Sequence, residues 1–413
     1  MRYGAMGSMC WLLLVPLVLA APPNDLNGTL VFYNGLAGVA NYRIPAVVQT
    51  ENGTIVAFAE ARHGGDASAA RIAVRSSLDG GATWSNVTFA AGATDTPANR
   101  AACAANATRC RGGNPAVVFD AHTKQIVLVL ILRGFGPGED AVGNAMVTSA
   151  DGGKTWSDVS DLSSMWGAAK GASPGPGTAL QLSSGPHQGR LLVASHHGAY
   201  VKDQVSISDD HGATWHTIPQ EFPLMDEAAL TQLPNGSVLL NMRHRHLSPM
   251  RGRAVAVSDD GGATFGPISY DGTLISPVCQ ASIVSFGGAT YFSNPASTSS
   301  RSQLTIRKSL DDAASWSGSL LVQAAASAGY SCLVKGELPR RPTESEPMGG
   351  ILFEADGGSI RFARFPLSLC CSTDTARTLV ATQSSEGNTR WHAEWRSLPY
   401  LTLPSVESHQ SGL

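Results

Sequence analysis

One eight-residue pattern, present five times, limits what this chain can fold into more than any other feature. Ser149-Ala150-Asp151-Gly152-Gly153-Lys154-Thr155-Trp156 shows it in full, and Ser77 to Trp84 and Ser208 to Trp215 have the same form. A fourth copy, Ser258 to Phe265, ends in Phe; a fifth, Ser309 to Trp316, has Ala313 in place of Gly. The copies begin at residues 77, 149, 208, 258 and 309 and so recur every 50–72 residues. Repetition at that period signals a solenoid, propeller or array.

The residue types account for the turn. Asp and Ser side chains bond backbone N–H groups a residue or two ahead and close a tight loop. Gly takes the φ > 0 position that such a loop needs, and Trp anchors it between neighbouring units. The pattern resembles the Asp box of sialidases and related β-propellers. Each box reads as a hairpin staple remote from chemistry, so it speaks for a fold and not for an activity.

Between the boxes the chain is strand after strand. Thr54 to Phe58, Ile72 to Arg75, Val117 to Phe119, Gln125 to Leu132, Leu191 to Ala194, Val238 to Asn241, Ala254 to Ser258, Leu304 to Lys308 and Ser359 to Ala363 are short and rich in β-branched or aromatic residues. No stretch makes a long amphipathic helix. Four strands per unit predict an all-β protein: a six-bladed β-propeller over residues 29–365, followed by a tail at 366–413 that has no box. With 413 residues, 43% of them hydrophobic, one domain of this size can bury a large core.

The outer features point to the secretory pathway. Residues 1–21 read as a signal peptide, with Arg2 as the positive flank, Cys10 to Ala20 as the apolar core and Ala20-Ala21 for cleavage. That core is too short to span a bilayer. Five sequons follow, at Asn27, Asn52, Asn86, Asn106 and Asn235, and Asn52-Gly53 and Asn235-Gly236 also read as hairpin turns. Six cysteines remain after cleavage: Cys103, Cys110, Cys279, Cys332, Cys370 and Cys371. Cys103 and Cys110 bracket one short loop and are the favoured pair. No Cys/His spacing suggests a metal site. A net charge of -3 with 15% charged residues and no basic run argues against a nucleic-acid partner.

A second series of residues interleaves with the boxes. Tyr42-Arg43-Ile44-Pro45 opens the first blade; Glu60-Ala61-Arg62 and Asp66 follow; then come Asp226-Glu227, Arg243, Ser293-Asn294-Pro295 with Arg301, Tyr330 after Ala328-Gly329, and Glu354. In order and spacing the series resembles the animal sialidases, most closely the lysosomal kind. The resemblance implies that Arg43, Arg243 and Arg301 clamp the substrate carboxylate and that Glu354 holds Arg43. It implies that Arg62 lies near the sugar's far side. Tyr330 would be the nucleophile, Glu227 its base, with Asp226 as the alternative base, and Asp66 the general acid/base.

The chemistry suits those residue types. Arg presents a planar fork to a carboxylate. A sugar that carries a carboxylate on its anomeric carbon repels an anionic nucleophile, and sialidases are the exception among glycosidases in using Tyr. A neutral phenol needs a base to take its proton, and the departing oxygen needs an acid. Arg307 competes with Arg301 for the third clamp position. Glu60 reads as structural, and His196-His197, His244 and His246 as loop or rim residues.

The implied activity is an exo-α-sialidase acting on sialylated glycoproteins, glycolipids and oligosaccharides, with no cofactor. A non-catalytic propeller receptor and a trans-sialidase stay open as alternatives. The implied place is the lysosomal lumen, with the cell surface or secretion as alternatives and a cathepsin A-like carboxypeptidase as a possible partner. Tyr400-Leu401-Thr402-Leu403 has the form of a sorting signal.

Overall fold

In the computed structural model the described residues are 26, 28–65, 70–92, 112–133, 142–162, 164–165, 172–245, 252–324, 329–368, 378–383 and 389–394. They form six antiparallel sheets around a central axis, as the box spacing predicts. Blade 1 runs through Asn41–Gln49, Ile55–Arg62, Ala70–Ser77 and Thr88–Gly92, from the axis outward. Blade 2 begins at Gly112–Asp120, blade 4 at Met225–Gln232 and blade 5 at Ser282–Phe286. In blade 3 the innermost chain splits: Ser173–Pro174 and Leu180–Gln181 pair with Leu191–His197, while Gly177–Thr178 crosses to pair in parallel with blade 2.

Blade 6 closes the ring. Ser331–Leu333, Met348–Ala355 and Ser359–Pro366 form three of its strands, and the N-terminal Thr29–Phe32 supplies the fourth. Pairing Thr29–Phe32 with Ser359–Pro366 joins the first and last strands of the propeller in one sheet and so closes the ring. Within residues 366–413 an antiparallel hairpin pairs Thr378–Gln383 with Thr389–Glu394, an element that the sequence does not signal.

The boxes form the hairpins between the third and fourth strands of blades 1 to 5. In the first, Ser77 Oγ donates to Asp79 Oδ1 at 2.8 Å and accepts from Gly81 N at 2.7 Å. Asp79 also takes the amides of Ala82 and Thr83 and the Thr83 hydroxyl. Burial would raise the Asp79 pKa, but the Thr83 hydroxyl and amide, the Ser77 hydroxyl and the Ala82 amide outweigh it and hold it at about 2. Asp151 is held at about 2 in the same way. The fifth box keeps the geometry at a cost: Ala313 at φ 64° occupies the left-handed region that Gly fills in the other four, and Asp312 at φ 56° stands, like His211 at φ 59° in the third box, where the remaining three have Gly.

Each box packs on the preceding blade. A Cβ on Gly81 would lie 2.3 Å from the Phe362 ring of blade 6, so only Gly permits that approach. Trp84 meets Phe362 edge to face at 5.5 Å, and Trp156 meets Phe58 of blade 1 at 5.8 Å. Trp156 is half-buried. Trp156→Ala should therefore cost about 2–3 kcal/mol in a denaturant melt, below the ~3–5 kcal/mol of a fully enclosed aromatic. No measurable loss would remove Trp156 from the inter-blade packing.

Asn52, Asn86 and Asn235 are exposed, and Gly53 and Gly236 take φ +82° and +96° in the expected hairpin turns. Cys279 and Cys332 are buried free thiols. Asn27, Asn106, Asp66, His246, Cys103, Cys110, Cys370, Cys371 and Tyr400 to Leu403 lie outside the described residues.

Candidate active site

Inner strands of the blades start at one end of the axis and finish at the other. Their starts build the site. In blade 1 the ladder slips between Arg43 and Ala46, and Ile44 sits at φ 60°, rare for a β-branched residue. In blade 4 it slips between Asp226 and Ala228, with Glu227 at φ 20°. Such bulges re-aim a side chain.

Glu354 ties blades 1 and 6 together. Its Oε1 accepts from Arg43 Nε at 2.6 Å and from the Ile44 amide at 3.0 Å; its Oε2 accepts from the Tyr330 amide at 3.0 Å. The amide bond to Glu354 supports the strained Ile44 backbone. A Cβ on Gly329 would stand 2.0 Å from Glu354 Oε2, so Gly is required just before Tyr330.

Tyr330 donates its hydroxyl to Glu227 Oε1. Arg243 Nη1 donates to Glu227 Oε2 and lies 3.4 Å from the Tyr330 oxygen. Arg43 and Arg301 stand over the Tyr330 ring, with Cζ 5.4 and 5.5 Å from its centre. Ile44 and Cys279 pack against Tyr330. Burial, then the Glu227 charge, push the Tyr330 phenol well above its ordinary pKa, against the pull of Arg243. The phenol is therefore held neutral with its proton already on the path to a base.

Three guanidiniums thus face two carboxylates around one phenol. The Arg243 Nε is buried and has no partner among the described residues. A pocket of about 250 Å³ opens beside Arg43, Arg301 and Glu354. The arginines beside this pocket suit an anionic guest.

Of the seven residues expected to share the site with Tyr330, Asp66 lies outside the described residues, and five of the other six converge on Tyr330 or on Glu354, or are Glu354 itself. Of the two candidate arginines, Arg301 stands over the Tyr330 ring, while Arg307 donates to Asn294 Oδ1 at 3.1 Å. Glu227 takes the phenol, while Asp226 turns back, accepting from the Glu227 amide at 2.9 Å and meeting His196 Nε2 at 3.5 Å. The sixth, Arg62, is buried at the end of Ile55–Arg62 and pairs with Glu60 at 2.6 Å. Glu60 reaches on to the Asn114 amide at 2.7 Å, which confirms its structural part.

His196, His197 and His244 are not the loop or rim residues that the sequence suggests. They end the strands Leu191–His197 and Val238–His244, where His197 and His244 are buried and His196 braces Asp226. Tyr200 has no sequence signal at all: its ring lies 5.3 Å from the Arg243 guanidinium and 4.8 Å from that of Arg245. Neither His196 nor Tyr200 stands in a motif; each is brought there by contacts across blades.

Beneath the site lies Asp203, wholly buried across the ladder from His196, with neither carboxylate oxygen hydrogen-bonded among the described residues. Burial first, then Asp226 and Glu227, raise its pKa well above the usual range, while Arg253 lowers it. A carboxyl group whose folded pKa is raised contributes stability that is full below its unfolded value near 4 and is lost as pH climbs through the raised one. Asp203→Asn should therefore raise the melting temperature at pH 7.5 and change it little at pH 4. Equal shifts at both pH values in calorimetry would exclude Asp203 as the source.

Fold and site together define a six-bladed propeller with three arginines gathered around a buried tyrosine at one end of its axis. The profile of the BNR repeat-like domain matches residues 96–338. Over 369 residues the chain is 36% identical to a sialidase of Micromonospora viridifaciens, covering 81% of this chain and 53% of the other. It is 30% identical to Sialidase-4 of Mus musculus over 298 residues, covering 62% of this chain and 56% of that one. Among solved structures, the Hadza microbial sialidase Hz136 superposes with a TM-score of 0.69 at 26% identity, over 83% of this chain and 68% of that one. The chain belongs to the family of the BNR repeat-like domain. It spans little more than half the length of these bacterial and mouse relatives, at 53% and 56%.

Proposed function

We propose that the protein is an exo-α-sialidase, a retaining glycoside hydrolase that removes terminal sialic acid from glycoproteins, glycolipids and oligosaccharides. The observation that carries this is the Tyr330–Glu227 hydrogen bond set among Arg43, Arg243 and Arg301. A receptor needs the arginines but has no use for a phenol bonded to a base.

In this reading the arginines hold the substrate carboxylate beside the anomeric carbon. Tyr330 attacks that carbon as Glu227 takes the phenolic proton, and Asp66 gives a proton to the departing oxygen. Water, activated by Asp66, then cleaves the sugar–tyrosine bond, and Glu227 returns its proton to the phenol. Two displacements retain the anomeric configuration. Arg62 lies beyond the clamp, toward the rest of the sugar.

Purified protein should release aglycone from an aryl α-sialoside with α-sialic acid as first product. The rate should peak at pH of about 4–5, because a carboxyl acid with an ordinary pKa near 4 must be protonated to serve. Inverted product, or no release, would overturn the proposal. Transfer to an added galactoside would favour a trans-sialidase. A plateau at pH 7–8 would favour the cell surface over the lysosomal lumen.

The acid setting also suits the boxes. A depressed Asp pKa contributes stability that is present above the unfolded value near 4 and lost only as pH falls through about 2. Glycosylation at the five sequons rests on those motifs and the signal peptide, lysosomal residence on both together with the sequence resemblance, and a carboxypeptidase partner on the resemblance alone.

A further inference from the structure

The far end of the axis holds a second chamber. Its volume is about 810 Å³, and all six blades line it, through residues such as Val47, Val117, Leu180, Leu230, Val284 and Lys335. Those residues lie toward the ends of the inner segments whose starts carry Arg43, Glu227 and Tyr330. The chamber is therefore separated from the clamp by the length of a strand. Its size falls within the range of small-molecule sites.

The walls are mostly apolar; Gln49, Thr178, Gln181 and Thr231 are among the polar side chains that interrupt them, and Lys335 is the one lysine or arginine among the described residues there. Lys335 follows the strand Ser331–Leu333 and is an exposed residue whose side chain stands on the chamber wall. Its Nζ donates to the Gln181 carbonyl at 3.3 Å, and no carboxylate pairs with it among the described residues. The nearby acid is already committed: Asp120 accepts from Gln181 Nε2 at 2.6 Å and stands 2.9 Å from His211 Nδ1. His122 and His211, the other titratable side chains on the wall, stack on each other at 4.4 Å. Burial pulls the Lys335 pKa down, the response of an ammonium that lacks a counter-ion.

An unpaired cation in an apolar chamber selects its own guest. The aliphatic walls favour a hydrocarbon chain, and the ammonium favours an anionic head. We propose that this chamber binds an aliphatic carboxylate, with the carboxylate on Lys335 and the chain among the inner strands of the six blades. The site is independent of sialoside cleavage and faces the opposite end of the ring.

Calorimetric titration of the full-length protein with decanoate, below its micellar concentration, tests this. One decanoate should bind per chain, with affinity at least tenfold weaker in Lys335→Met and Lys335→Gln and kept in Lys335→Arg. Melting curves check that the variants fold. Decyltrimethylammonium, which has the same chain and the opposite head, should not bind. An unsaturated sialic acid analogue that occupies the clamp should not displace decanoate. Absence of decanoate binding, equal binding by Lys335→Gln, equal binding of the cationic amphiphile, or displacement by the analogue would each overturn the proposal. None of these readouts depends on whether the protein cleaves sialosides.

Discussion

Tyr330→Phe should leave a folded protein with kcat/KM on an aryl α-sialoside reduced by at least about 10³-fold, a loss of the order seen when a nucleophile is removed from a preorganised site. The ring is kept, so its packing against Ile44 and Cys279 and the arginine contacts over its face remain. The amide bond to Glu354 is a backbone contact and also survives. Only the hydroxyl goes, and with it the atom that bonds Glu227 and would bond the sugar. Removing the phenol leaves the Glu227–Arg243 pair intact, so the melting curve should change little. A 2,3-difluorosialoside should label the wild-type protein on the peptide holding Tyr330 and fail to label Tyr330→Phe. A label on Glu227 or Asp66, or a variant with near-normal turnover, would show that the phenol is not the nucleophile.

Arg243→Ala should have the second largest effect, and should act on stability as well as rate. Its guanidinium is mostly buried and pairs with a Glu227 whose side chain is only 8% exposed. Burial alone would lower the Arg243 pKa, but Glu227, Tyr330, Tyr200 and Asp226 raise it, so the cation is firmly held. Deleting one partner of a buried pair leaves the other charge uncompensated, typically at a cost of about 3–5 kcal/mol. The variant should therefore lose most activity and melt measurably earlier. Arg301→Ala is the contrast: Arg301 is exposed and sits over the ring, so activity should fall while the melting curve stays unchanged. Equal stability of both variants in chemical denaturation would contradict the burial argument. The sequence alone predicts folded variants for all three clamp arginines; burial separates Arg243 from the others.

Much of the site is legible in the chain itself. Arg43 within Arg-Ile-Pro and Tyr330 after Gly329 stand in short motifs: Ile44 packs against Tyr330, and only Gly at 329 leaves room for Glu354. Glu227 against Asp226 is not decidable from the chain. Adjacent residues on a strand face opposite ways, and only the bulge between Asp226 and Ala228 determines which carboxylate meets the phenol. The two histidines of Leu191–His197 mislead for a similar reason: a polar pair beside Gly198 looks like a loop, yet His196 is needed where it braces Asp226 across two blades.

The boxes by themselves determine the architecture. Ser, Asp, Gly and Thr make one turn through hydrogen bonds within eight residues, so the turn and its period are written locally. Ring closure by Thr29–Phe32, the hairpin at Thr378–Gln383 and Thr389–Glu394, the buried Asp203 and the chamber around Lys335 have no local signature. Ring closure, the buried acid and the chamber depend on residues more than a blade apart in sequence, or on burial, and both are created only when six sheets meet around one axis. Local hydrogen bonding therefore specified the turns, while long-range packing decided which charges are paired, which are stranded, and where the ring leaves room for a guest.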